Sequence, residues 1–240
     1  MSEALRIALV AEGPTDYIVI EAALNAILDH SFILTQLQPE ATQPQMGSGW
    51  GGVLKWCHET AKRHTGSLDD DPVLENFDLI IFHLDTDVAG FAYPDCGPEL
   101  VSLAEQSGWA ILPCSKPCPP AIHSADALIT VLHSWLGQAL PGQRSIFCLP
   151  AQASGTWLAV AVLPSEHPLL QDAECNIHLE ARLGQLPKAD RIKKSKREYQ
   201  AKAEKITEHW HAVKATCSQA QRFENAVQAS LTNLQAVDSQ

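Results

Sequence analysis

Carboxylates stand just past the ends of two short apolar runs. Glu12-Gly13-Pro14-Thr15-Asp16 directly follows Ile7-Ala8-Leu9-Val10-Ala11, and Asp85-Thr86-Asp87 directly follows Leu79-Ile80-Ile81-Phe82-His83-Leu84. Such runs read as buried strands. Groups just beyond buried parallel strands converge at the carboxyl edge of the sheet, where open α/β folds place their ligands. Clustered carboxylates repel one another unless a shared proton or a divalent cation compensates. The two motifs together therefore point to Mg²⁺ or Mn²⁺ and to chemistry on phosphate. Glu12, Asp16, Asp85 and Asp87 are the candidate ligands, and Glu12, Asp85 and Asp87 the candidate catalytic groups. Each motif alone has a plainer explanation. Glu12, Thr15 and Asp16 suit the first turn of a helix, where the dipole favours negative charge, and Asp85 to Asp87 could be an ordinary Asp turn. If the strand geometry persists past residue 84, Asp85 and Asp87 point the same way.

The elements that must position these groups follow from periodicity. Residues 5–11 read as a strand, and Pro14 opens a helix that continues through Ile18, Ile20, Leu24 and Ile27. Ser31 to Leu37 reads as a second strand. A Gln-, Pro- and Gly-rich loop then ends in Gly47-Ser48-Gly49-Trp50-Gly51-Gly52, which puts Trp50 at a flexible tip within reach of a nucleic-acid base. A helix over residues 53–64 precedes the strand at 78–84. Residues 98–107 read as a helix, Trp109 to Leu112 as a short strand, and residues 125–139 as a helix capped by Ser124. Ser145 to Leu149 is a further strand and Thr156 to Leu163 a short helix. The expected fold is α/β, a Rossmann-like, mostly parallel sheet with helices on both faces. Its expected organisation is an α/β domain over residues 1–165 and a helical carboxy-terminal extension over 166–240 packed on it. Phe223, Val227, Leu231 and Leu234 form a stripe suited to packing on the sheet or on a partner, which leaves homo-oligomerisation open.

The chain has 240 residues and a net charge of −11. The basic residues are not spread evenly. Lys188, Arg191, Lys193, Lys194, Lys196, Arg197, Lys202 and Lys205 are 8 of the 17 and fall in one short stretch. Lys188, Arg191, Lys193, Lys194 and Arg197 are candidate contacts to a nucleic-acid backbone, with Tyr199 able to stack on a base. A solvated helix face is the competing explanation. The seven cysteines are odd in number and widely scattered, which argues against a disulfide framework and for reduced, packed thiols. Cys96, Cys114, Cys118 and His123 lack the spacing of a structural zinc site. His83, inside an apolar strand, reads as a packing residue. No Walker motif or serine-hydrolase elbow occurs. No run is long enough to span a bilayer, and no signal-type segment opens the chain, so the expected compartment is the cytoplasm and no membrane partner is expected.

Glu-Gly-Pro-Thr-Asp, followed by an apolar strand and Asp-Thr-Asp, resembles the TOPRIM domain of topoisomerases, bacterial primases and overcoming-lysogenisation-defect (OLD) nucleases. The form is most similar to short, stand-alone TOPRIM-like proteins of prokaryotic anti-phage defence loci, which often sit beside an ATPase of the ABC or SMC type. The resemblance covers residues 5–90 by motif. It extends more loosely through Ser145 to Pro150, Trp157-Leu158 and the basic stretch. It implies a metal-dependent nuclease in which Glu12 is a metal ligand or general acid/base and Asp85 and Asp87 hold Mg²⁺. It further implies nucleic acid and an ATPase as partners. Stand-alone relatives carry a Glu two residues before the equivalent of Trp157, where this chain has Gly155. Asp172, Glu174 and Glu180 are the carboxylates able to substitute. Two other readings remain: a catalytically weak or silent regulatory subunit, and a phosphoryl-transfer enzyme acting on small molecules, for which so long a cationic stretch is unnecessary.

Overall fold

The computed structural model describes residues 4–40 and 42–238. The apolar runs form strands because β-branched and aliphatic residues dominate them on both faces, as a sheet covered on both sides requires. In chain order the elements are β1 (Leu5–Val10), α1 (Pro14–Ile27), β2 (Phe32–Gln38), α2 (Gly49–Arg63), β3 (Gly66–Ser67) and β4 (Leu79–His83). There follow α3 (Glu99–Ser107), α4 (Ile122–Leu136), β5 (Ala139–Leu140), β6 (Ser145–Cys148) and α5 (Gly155–Val162). Five helices end the chain: α6 (Leu179–Leu183), α7 (Lys196–Gln200), α8 (Ala203–Glu208), α9 (Trp210–Thr216) and α10 (Ser218–Asp238). The main sheet has the order β2-β1-β4-β6, and all its pairings are parallel. β3 and β5 form a separate two-residue parallel bridge.

Side-chain alternation divides the core in two. Ile7, Leu9, Leu79, Ile81, Ile146 and Cys148 face one layer, which holds α1, α5 and the carboxy-terminal helices. Ala8, Val10, Ile80, Phe82 and Leu84 face the other, which holds α2, α3 and α4. The expected α/β fold with a parallel sheet flanked by helices is therefore the fold observed. The segment after residue 165 is not peripheral to this core. Leu179, Leu183, Tyr199, Ile206, Trp210, Phe223 and Val227 pack in the same layer as α1 and α5. Trp157 in α5 meets Trp210 edge-to-face at 5.4 Å and lies tilted against Phe223 at 5.9 Å between ring centroids.

Several local expectations change. Trp109 to Leu112 is not a strand. The Tyr93 hydroxyl donates to the Ala110 carbonyl at 2.6 Å, and the Ala110 N–H donates to Ser134 Oγ at 2.9 Å. Side chains thus take the backbone groups that a sheet ladder would need. Ser124 lies inside the first turn of α4 and accepts the Lys116 N–H instead of capping the helix. Trp50 is not at a flexible tip. It sits in the first turn of α2, buried against Tyr93, Phe91 and Trp135. Cys118 and Cys175 form a disulfide, whereas the other five cysteines are free. The scattered spacing gave no sign of that pair, which the chain brings together across 57 residues. Among the described residues no helix is long and apolar enough to cross a membrane.

Because Phe223 fills the layer against Trp157, Phe223→Ala should cost about 3–5 kcal/mol of unfolding free energy. Urea denaturation of the full chain checks this. A loss below about 1 kcal/mol would mean that α10 only rests on the domain.

Candidate metal centre at the sheet switch point

The chain leaves β1 toward β2 on one side and later places β4 on the other side of β1. A parallel sheet opens a crevice beyond its carboxyl ends at such a reversal. Glu12 follows β1 by two residues and Asp85 follows β4 by two, so both arrive at this crevice. The Asp85 N–H donates to Glu12 Oε1 at 2.8 Å. Asp85 Oδ1 accepts the Ser154 N–H at 2.7 Å, and the Ser154 hydroxyl donates to Asp16 Oδ1 at 2.7 Å. Pro14 at the first position of α1 starts that helix early enough to bring Asp16, within its first turn, to this hydroxyl. Asp16, Asp85 and Ser154 are all buried.

The loop after β6 is laced to the turn after β4. The Thr86 N–H donates to the Pro150 carbonyl, the Asp87 N–H to the Gln152 carbonyl, and the Gln152 N–H to Thr86 Oγ1 at 2.6 Å. Gln152 has φ 61°, a left-handed conformation that costs a residue of this type about 1–3 kcal/mol unless its surroundings hold it there. These bonds hold it and aim Ser154 at the two aspartates. Residues 86–90 form a 3₁₀ turn, so strand geometry does not persist past the end of β4. Asp85 and Asp87 consequently part: Asp85 is buried in the crevice and Asp87 lies exposed at its rim.

His83 joins the carboxylates. It has no solvent exposure, and neither ring nitrogen has a hydrogen-bond partner. Its Nε2 lies 3.3 Å from Asp85 Oδ1, within ion-pair range but without hydrogen-bond geometry. One ligand atom each from Glu12, His83 and Asp85 lie within 4.8 Å of one another. Of the four candidate ligands read from the sequence, Glu12 and Asp85 are in this group, Asp16 is joined to Asp85 through Ser154, and Asp87 is at the rim. His83 could have been found from sequence by two signs: an ionisable residue within a continuous apolar strand, and a two-residue spacing that puts it on the same side as Asp85. Nothing in the sequence marked Ser154.

Charge in the crevice is poorly compensated. Burial, then the Asp85 carboxylate, push the Glu12 carboxyl well above the ordinary range. Burial and Asp16 likewise raise Asp85, against the pull of His83. Partial burial of its carboxyl and the neighbouring Asp85 charge raise Asp87 from 3.8 to about 7, although the residue keeps one side open to solvent. His83 moves the other way from a normal buried imidazole. Burial disfavours its charge, but Asp16, Asp85 and Glu12 override it and raise the group to about 9.

A second group of side chains closes over the same place. The Glu180 carboxylate in α6 accepts the Tyr199 hydroxyl at 2.6 Å and pairs with Lys194 Nζ at 2.7 Å. Tyr199 is buried, which removes it as a stacking platform for a base. Burial opposes the charge on Lys194, yet Glu180, Asp85 and Asp16 hold its ammonium protonated. Lys194 thus faces the acidic group, unlike its neighbours. Lys188, Arg191, Lys193 and Arg197 are exposed and make no ion pair among the described residues. Residues 188–194 are irregular chain, so the cationic stretch is not one helix face.

Gly155 begins α5 immediately after Ser154. A Cβ built there would run into Glu180 Oε1 and approach Glu180 Cγ and the Tyr199 hydroxyl to 2.7 Å each. The space beside Gly155 is filled by Glu180. Of the three carboxylates able to substitute for a residue at 155, Glu174 is turned away, bonded to the Gln219 N–H and the Ser218 hydroxyl. No family model matches this chain, and neither the curated proteins nor the solved structures contain a match to it.

Gly155→Ala should destabilise the protein by about 1–3 kcal/mol through overpacking, measurable by urea unfolding; unchanged stability would mean that Glu180 yields freely. A second expectation concerns pH. A group whose pKa is raised on folding adds stability below its unfolded pKa and loses it as pH rises through the folded one. For Asp87 that window runs from 3.8 to about 7, and for His83 from 6.5 to about 9. The Tm measured in chelator should therefore fall as pH rises across these windows, and Asp87→Asn should flatten the lower part of the fall. A wild-type Tm that climbs over the same range would contradict the assigned charge repulsion.

Proposed function

We propose that this chain is a metal-dependent nuclease of TOPRIM type that hydrolyses phosphodiester bonds of DNA or RNA. The observation that carries the reading is the meeting of Glu12, His83 and Asp85 at the sheet switch point, with both His83 nitrogens buried and unpartnered. That donor set fits a cation: two carboxylates whose like charges repel, plus an imidazole that makes no hydrogen bond and that a cation would hold in its neutral form. Glu12, Asp85 and His83 would hold Mg²⁺ or Mn²⁺, with Asp16 orienting through Ser154 and Asp87 at the open side. Such an ion supplies Lewis acidity toward a phosphoryl oxygen and acidifies water.

The chain's own groups supply the rest. Burial raises the proton affinity of Glu12, which suits it to take a proton from the attacking water if it serves as general base instead of as a metal ligand. The Ser154 N–H fixes one oxygen of Asp85. The exposed cations Lys188, Arg191, Lys193 and Arg197 neutralise the nucleic-acid backbone without reading its sequence. The anti-phage setting and an ABC- or SMC-type ATPase partner rest on the motif resemblance alone. The Lys194–Glu180 pair favours a second reading, a silent regulatory subunit, because it sets a cation of the chain's own within the field of Asp85 and Asp16.

Purified protein should nick supercoiled plasmid or cut RNA with Mg²⁺ or Mn²⁺. Glu12→Ala and Asp85→Ala should each lower the rate by at least about a hundredfold. Metal binding without cleavage would select the regulatory subunit, and residual cleavage in both variants would refute the assigned site. Replacing Lys188, Arg191, Lys193 and Arg197 together by Gln should flatten the salt dependence of nucleic-acid retention by about 0.9 in log–log slope per lost phosphate contact. Filter binding across a salt series checks this. No retention by wild type at low salt would instead favour a small-molecule phosphoryl-transfer enzyme.

A further inference from the structure

Two distant segments meet at the Cys118–Cys175 disulfide. Cys118 lies in the proline-rich loop ahead of α4, and Cys175 ends the 3₁₀ turn Ala173–Cys175 ahead of α6. Each segment also grips one of the loops that shape the acidic crevice. The Cys114 and Ser115 N–H groups donate to the Ala89 carbonyl at 2.8 and 3.0 Å, which ties the proline-rich loop to the 86–90 turn after Asp85. The Glu174 carbonyl accepts Gln152 Nε2 at 3.4 Å, which ties the second segment to the corner that aims Ser154. Gln152 is bonded in turn to Thr86 and Asp87. These links close a ring: from the 86–90 turn to the proline-rich loop, across the disulfide to Glu174, on to Gln152 and back to Thr86. Between segments, every link but the sulfur–sulfur bond is a hydrogen bond. Cys118 and Cys175 are half-buried, beside the exposed Pro117, Pro119 and Ile177, so the pair is open to a thiolate from solution.

We propose that this disulfide is a reversible redox tether on the crevice, and that its reduction by a dithiol releases the Gln152 corner and with it Ser154 from Asp85 and Asp16. The left-handed conformation of Gln152 persists only while its neighbours hold it. The Glu174 carbonyl is one of those holds, and the disulfide fixes the turn that presents it. Ser154, two residues on, then loses the alignment of its N–H with Asp85 and of its hydroxyl with Asp16. In the chemical step, one thiolate of the dithiol attacks one sulfur of the pair, forms a mixed disulfide and expels the other sulfur as a thiolate. The second thiol of the reductant displaces the remaining cysteine. Two electrons pass to the pair, the reductant closes to its own disulfide, and its two protons end on Cys118 and Cys175. The tether acts on the crevice's own loops, so it stands apart from the question of what the crevice binds.

The test is amide hydrogen exchange of the full chain in chelator, first oxidised, then reduced with dithiothreitol, then reoxidised with glutathione disulfide. On reduction the Thr86, Asp87, Gln152 and Ser154 amides should exchange at least about tenfold faster, and by a clearly larger factor than the amides of β1 and β4. Reoxidation should restore the slow rates. The double variant Cys118→Ser, Cys175→Ser should show the reduced pattern and respond to neither reagent. An equal acceleration in the crevice loops and the strands would make the bond a staple of the whole fold and overturn the proposal, as would crevice amides that do not change. Cys118 and Cys175 that still titrate as free thiols after glutathione disulfide would overturn it too. The readout needs neither metal nor cleavage, so a protein that fails to cut nucleic acid refutes the nuclease reading without touching this one.

Discussion

One constraint organises this molecule: a half-buried and a buried carboxylate stand side by side at the ends of two adjacent parallel strands. Parallel pairing of β1 with β4 forces Glu12 and Asp85 together, and the 2.8 Å bond from the Asp85 N–H to Glu12 locks the pair. Unlike charges placed this way would attract, but these repel. The surrounding structure supplies what it can: a Ser154 amide and hydroxyl, a buried imidazole and one lysine. Burying charge without full compensation is expensive, so a fold that keeps the arrangement must gain from it elsewhere. The two helical layers provide that gain, with Trp157, Trp210 and Phe223 anchoring one and Trp50, Trp135 and Phe82 the other.

The same constraint explains why the carboxy-terminal helices share a core with the first strand. α6 to α10 do more than cover the sheet. They bring Glu180, Lys194 and Tyr199 to the crevice from a part of the chain that the strand order alone would never place there. The disulfide between Cys118 and Cys175 joins the proline-rich loop ahead of α4 to the turn that leads into α6. α6 is therefore tethered on both sides, by that bond before it and by Ile192 and Tyr199 packed in the core after it.

Sheet and first-layer helices were legible because their signals are local. An apolar run of five or six residues followed by Pro14, or by Asp85, needs no tertiary knowledge to be read. The convergence of Glu12 with Asp85 was legible too, since parallel α/β topology implies it. What escaped depended on distant partners. Trp109 to Leu112 has strand composition, yet Tyr93 and Ser134 claim its backbone groups. Trp50 sits beside glycines that suggest a loop, but three aromatic neighbours bury it. Lys194 and Tyr199 fall in the cationic stretch, yet Glu180 pairs with the half-exposed Lys194 and accepts the hydroxyl of the buried Tyr199. His83 looked like packing because burial is what its strand dictates; its place beside Asp85 arises from the two-residue offset between them.

The pairing of Lys194 with Glu180 works as an intramolecular counter-ion. An ammonium tethered to the protein is present at a local concentration set by the length of chain between the two residues. Any cation from solution that approached this carboxylate would have to displace it, so the segment between α6 and α7 sets how strong a competitor must be.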